Sequence, residues 1–147
     1  MRPTPAISAL PPDLLARASL AGNEYAWPIG DIPAVIEAAR AANLVSIGGQ
    51  LQFRLPDGGT CECYWVEVDT YKSVDKALPW NERVVRTAEA ASRDFAALQE
   101  RFDFITEGRK AFPGYLGKLR ADGRDTADAM CFVWYVLCEE EASAKGL

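Results

Sequence analysis

The sequence predicts an α+β domain in which a three-stranded antiparallel meander packs against two or three amphipathic helices. Two patterns carry that expectation. Across residues 44–71, apolar and polar side chains alternate with the period of two that marks a half-buried strand, and turn residues cut the stretch into three. Across residues 84–105, apolar residues return at steps of four and three, which puts them on one face of a helix. A chain of 147 residues, 49% hydrophobic and 25% charged, has the size and balance of one globular domain, so residues 1–147 are expected to share one core.

Prolines set the start. Pro3, Pro5, Pro11 and Pro12 supply no backbone N–H, and residues 1–12 are expected to form an extended arm. Residues 14–20 read as a short helix with Asp13 at its N-cap. Asp31-Ile32-Pro33 is a stronger start signal, because a carboxylate can accept first-turn amides and a proline early in that turn forfeits no hydrogen bond. This helix should run to about Ala42, with Ile32, Val35, Ile36 and Ala39 on one face, and Asn43 suits the left-handed position that closes it.

Residues 44–47 read as a short first strand, after which Gly48-Gly49 permits a tight turn or a bulge. Leu51, Phe53 and Leu55 alternate with Gln50, Gln52 and Arg54 in a second strand, Pro56-Asp57-Gly58-Gly59 carries turn chemistry, and residues 60–71 form the third. On that third strand Cys61, Cys63 and Trp65 share one face, and Glu62, Tyr64, Val66 and Val68 the other, which leaves the inward face open. Residues 81–107 are expected as one long helix striped by Val84, Ala88, Ala91, Phe95, Leu98, Phe102 and Ile105, with Gly108 as its stop. Such a stripe serves a helix laid across the sheet, and it also suits a seam between two copies over residues 84–105. Residues 125–144 begin with a capping Asp125 or Thr126 and end in a charged tail, which favours a buried helix although the β-branched and aromatic run of 129–138 would suit a strand.

Zero histidines exclude the Ser-His and Cys-His nucleophile pairs, His-rich zinc sites and the usual general base near neutral pH. Cys61 and Cys63 stand two apart on a strand, and Cys131 and Cys138 seven apart; neither spacing is a zinc knuckle, so all four are expected as reduced, buried thiols with no metal and no cofactor. Glu62, Glu67 and Asp69 on the third strand are the remaining acid–base candidates, Glu67 and Asp69 sharing a face, although strand carboxylates are more often simply solvated. Gly48-Gly49 and Asp57-Gly58-Gly59 match neither phosphate-loop pattern and read as turns.

Lys and Arg number 16 against 21 Asp and Glu, a net charge of −5 that speaks against nucleic acid or an anionic membrane and for a basic protein partner. No run of apolar residues reaches membrane-spanning length, and a cytoplasmic location is expected. Charge is nevertheless uneven. Residues 108–124 hold Arg109, Lys110, Lys118, Arg120 and Arg124 against Asp122 alone, a local +4 that leaves −9 on the remainder. Interleaved with Phe112 and Tyr115, these cations suit an anionic ligand, or else they neutralise neighbouring acidic helices. Trp27 and Trp80 each stand beside a proline just ahead of a helix, where a tryptophan either staples the helix to the core or anchors a partner.

The stretches GGQLQFRLPDGGTCECYW and AWPIGDIPAVIEAA make residues 24–107 resemble small uncharacterised bacterial single-domain proteins, some of which act as cytoplasmic immunity or accessory proteins. That resemblance implies a binding role and transfers no functional residue. The expectation is a soluble, non-enzymatic protein-binding module of the inhibitor or immunity type, whose acidic surface meets a basic partner. The alternative is a small-ligand-binding protein or hydrolase that uses Glu62, Glu67 or Asp69.

Overall fold

The computed structural model describes residues 5–147. Its scaffold is one antiparallel sheet of six strands: β1 (Ser19–Ala21), β2 (Glu24–Trp27), β3 (Val45–Arg54), β4 (Thr60–Asp69), β5 (Met130–Val133) and β6 (Tyr135–Leu137). The strands lie in the order β1-β2-β5-β3-β4, with β6 pairing with β3 as well. Among the described residues, the helices are α1 (Pro12–Ala16), α2 (Ile32–Ala41), α3 (Trp80–Arg101), α4 (Phe104–Ala111), α5 (Pro113–Ala121), α6 (Thr126–Ala129) and α7 (Glu139–Ala144). The class is α+β, and none of these helices is long and apolar enough to cross a membrane.

Strand β3 is the axis of the molecule. Its inward residues Leu51 and Phe53 join Trp27, Phe132 and Trp134 in a core covered by α2 and α3. Phe95 of α3 meets the Phe132 ring edge-on with centroids 5.1 Å apart, a favourable arrangement for two aromatic quadrupoles. The stripe of α3 is consumed here: Val84, Ala88, Ala91, Phe95 and Leu98 are all buried within the chain, so it offers no seam to a second copy. Thr87 fixes how α3 lies on β3, its hydroxyl oxygen accepting the Ser46 amide N–H at 3.1 Å.

The expected meander is thus corrected to a two-stranded hairpin, β3–β4, inside a larger sheet. β3 runs unbroken through Gly48-Gly49, so no separate first strand exists, and β5 and β6 occupy its other edge. Both come from the segment expected as a buried helix. A run of Met130, Cys131, Phe132 and Val133 beside an unpaired β3 edge gains both ladder hydrogen bonds and burial, and only α6 and α7 at its two ends stay helical.

Three further expectations change. The long helix breaks at Phe102-Asp103, where the Asp103 carboxylate accepts the Thr106 amide at 3.0 Å and starts α4. Gly108 is no stop; it lies inside α4 against the Phe53 ring, where a Cβ would sit 2.3 Å from a ring carbon. The short helix expected over 14–20 is only α1, and residues 19–21 turn instead into the β1–β2 hairpin through Gly22, whose φ of +61° a side chain would resist. Of the expected arm, residues 1–4 lie outside the described residues, while Ala6–Ala9 form a 3₁₀ turn and Leu10 is buried because it joins the core beside Leu14.

Helix α2 runs as its pattern requires, and Asn43 takes the left-handed conformation at φ 63°. The Asp31 carboxylate makes no cap hydrogen bond and pairs instead with Arg17 at 3.2 Å.

Candidate functional site

Strand β4 ends the sheet and has an unpaired edge. Its pairing with β3 contains a large irregularity: Gln50 sits opposite Glu67, yet Leu51 sits opposite Cys63, so Tyr64, Trp65 and Val66 are intercalated. An odd number of extra residues reverses the alternation. Cys61 and Cys63 point inward before the bulge, Val66 at its end and Val68 beyond it, which resolves the two competing faces in the sequence by burying half of each.

The bulge turns two aromatic residues outward. Tyr64 is 64% exposed and Trp65 46%, and Tyr71, just past the strand, is 54% exposed. Carboxylates surround them. Glu62 accepts the Tyr64 hydroxyl at 2.5 Å and the Gln52 amide at 3.1 Å, while the Trp65 indole N–H donates to Glu107 of α4 at 3.2 Å. The Glu62 carboxylate, by accepting that hydroxyl, holds the Tyr64 phenol above its ordinary pKa. Glu67 and Asp69 are exposed, with Asp69 accepting the Tyr71 amide at 3.0 Å. Between Thr60 and Tyr71 no lysine or arginine occurs. The result is a strip that alternates exposed aromatic rings with carboxylates along an open edge.

Glu67 and Asp69 therefore belong to this strip, but the sequence reading missed Tyr64, Trp65 and Tyr71. The interleaving of aromatic and acidic residues was visible; the bulge that exposes two of the rings was not. The tryptophans singled out instead are core residues. Trp27 is fully buried and donates its indole N–H to the Leu14 carbonyl at 2.8 Å, and Trp80 is buried with its N–H on the Asn43 carbonyl at 2.8 Å. Neither presents a surface to a partner.

The basic segment is helical, which spreads its charges around α4 and α5. Arg109 reaches toward the Thr126 hydroxyl at 3.4 Å, Lys110 pairs with Glu107 at 3.7 Å, and Arg120 is exposed. Tyr115 and Lys118 are brought together in a cleft against the β3–β4 turn, together with Arg124. The cysteines do not converge. Cys61 and Cys63 belong to the core on the helical side, Cys131 faces the other side of the sheet, and Cys138 is the N-cap of α7.

That other side is closed by its own side chains. Tyr135 donates its hydroxyl to Glu24 and accepts from Gln50 at 3.1 Å; burial and the Glu24 carboxylate push its phenol up to about 12. Arg54 donates to the carbonyls of Ser19 at 2.6 Å and Glu24 at 3.0 Å, and to Gln52 at 3.2 Å. Beneath this layer Ala26, Cys131 and Val133 are buried.

No protein-family model, curated protein or solved structure matches this chain.

Proposed function

We propose that this chain is a non-catalytic protein-binding module of the inhibitor or immunity type, acting in the cytoplasm, and that it receives a basic protein on the β4 edge. The observation that carries the reading is the acidic–aromatic strip: Tyr64, Trp65 and Tyr71 exposed among Glu62, Glu67, Asp69 and Glu107. Tryptophan and tyrosine dominate the energetics of protein interfaces because they bury large area with few rotatable bonds. The carboxylates add long-range attraction for a cationic partner and repel a second copy of the same edge. An open edge also has free backbone groups for an added strand.

The test is selection of binders from a random-peptide display library on the immobilised protein at low salt. Enriched peptides should carry net positive charge, should weaken when salt rises from about 0.05 M to about 0.5 M, and should lose at least about tenfold in affinity against Y64A/W65A. Tyr64 is largely exposed and Trp65 nearly half exposed, and neither belongs to the buried core, so the variant should keep the wild-type circular dichroism and a cooperative thermal transition. Peptides without positive bias, or binding indifferent to Y64A/W65A, would overturn the proposal.

A further inference from the structure

A second surface, sharing no residue with the β4 strip, has the features of a small-molecule site. It is a cleft of about 280 Å³ between the β3–β4 turn and α5, below the size of pockets that take drug-sized ligands. Leu55, Pro56 and Leu119 supply its apolar lining, and the Tyr115 ring, 63% exposed, stands at its margin. Tyr115 and Lys118 also border an apolar depression formed with Phe112 and Pro113, so the tyrosine is flanked by apolar surface on both sides.

The charges of the cleft are balanced yet unused. Lys118 and Arg124 line it together with Asp57 and Asp122, and among the described residues none of these four makes an ion pair within 4.0 Å. Asp57 engages only the Gly59 amide, at 2.9 Å. Two cations and two carboxylates around one partly apolar cleft, none of them ion-paired, complement a ligand that carries both signs and an apolar body.

We propose that this cleft binds an amphipathic zwitterion, namely a free α-amino acid with an aromatic or large apolar side chain. Its side chain lies between Tyr115 and the Leu55-Pro56 turn, its carboxylate is held by Lys118 and Arg124, and its ammonium by Asp122 and Asp57. The test is an amide NMR titration of the full chain with L-phenylalanine. Saturable shifts are expected at residues 55–57 and 114–124, with a Kd of about 1 mM or tighter. Y115A and K118A/R124A should each raise Kd by at least about fivefold, and all three side chains are exposed enough to be removed without loss of fold. Glycine, with both charges and no apolar body, should produce no saturable shift, and 3-phenylpropionate and phenethylamine, each with one charge, should bind about tenfold more weakly. Absence of saturation, shifts centred elsewhere, binding unaffected by the variants, or equal binding of either single-charge analogue would overturn the assignment.

Discussion

Gly48 and Gly49 show how one residue type carries two meanings. A glycine pair between apolar segments is compatible with a turn, but here β3 passes straight through it with a neighbouring strand close on each side. A Cβ at Gly49 would stand 1.6 Å from the Val133 carbonyl oxygen, and one at Gly48 1.9 Å from that of Val68, with φ at Gly48 already +119°. Backbone atoms cannot rotate away as a side chain can. Gly49→Ala is therefore expected to destabilise the fold by more than about 3 kcal/mol, whereas Gly30→Ala, with nothing within 4 Å of its added methyl, should change stability by less than about 0.5 kcal/mol. Urea unfolding of the two variants measures the difference. Gly108 is a related case with a side chain as the obstacle: the residue read as a helix stop is the contact point at which α4 sits on the fully buried Phe53 ring.

Among elements, the β1–β2 hairpin is the one least secured by its own ladder. Among the described residues Ala26 and Trp27 pair it with β5, and the Trp134 amide N–H just past β5 donates to the Tyr25 carbonyl at 3.2 Å. Arg54 supplies a second attachment, reaching from β3 to the Ser19 and Glu24 carbonyls. Arg54→Ala should cost about 1–3 kcal/mol, the range for charge-assisted hydrogen bonds to backbone. Its signature should be local, with faster amide hydrogen exchange in β1 and β2 and unchanged protection in the β3–β4 hairpin; uniform acceleration across the sheet would contradict the assignment. The element misread from sequence, 129–138, failed for a related reason. Its residues satisfy either a buried helix or a strand, and the choice is made by an open edge of β3 more than seventy positions earlier in the chain.

At the scale of the whole molecule, the sheet separates two environments that both exclude water from ionisable groups. Burial pushes the Cys63 thiol on the helical side and the Cys131 thiol on the other up to about 11, from an ordinary value near 9. Tyr135 rises to about 12 from about 10. In each case the folded state holds its proton more tightly than the unfolded chain, so the contribution is complete below the unfolded value and is lost as pH rises through the folded one. Stability should accordingly decline from about pH 9 upward, with the tyrosine contribution falling between about pH 10 and 12. Tyr135→Phe, though less stable at neutral pH for want of its Glu24 and Gln50 hydrogen bonds, should show a shallower fall of melting temperature across pH 10–12. An unchanged slope would remove Tyr135 from that account.

What the sequence determined by itself are the features written in local periodicity: α2 with its left-handed Asn43, the alternation that makes the β3–β4 hairpin, the α3 stripe and the acidic balance. Each depends on residues a few positions apart, whose relative directions the backbone geometry dictates. Tertiary structure decided the rest. Whether 129–138 became strands, whether Gly48-Gly49 turned or passed through, and whether Trp65 or Trp27 met solvent all depended on which distant segment lay alongside. The candidate interface illustrates the division: all its carboxylates and rings except Glu107 fall within residues 62–71, but a bulge in the β3–β4 register is what turns Tyr64 and Trp65 outward, and the fold is what brings Glu107 to Trp65.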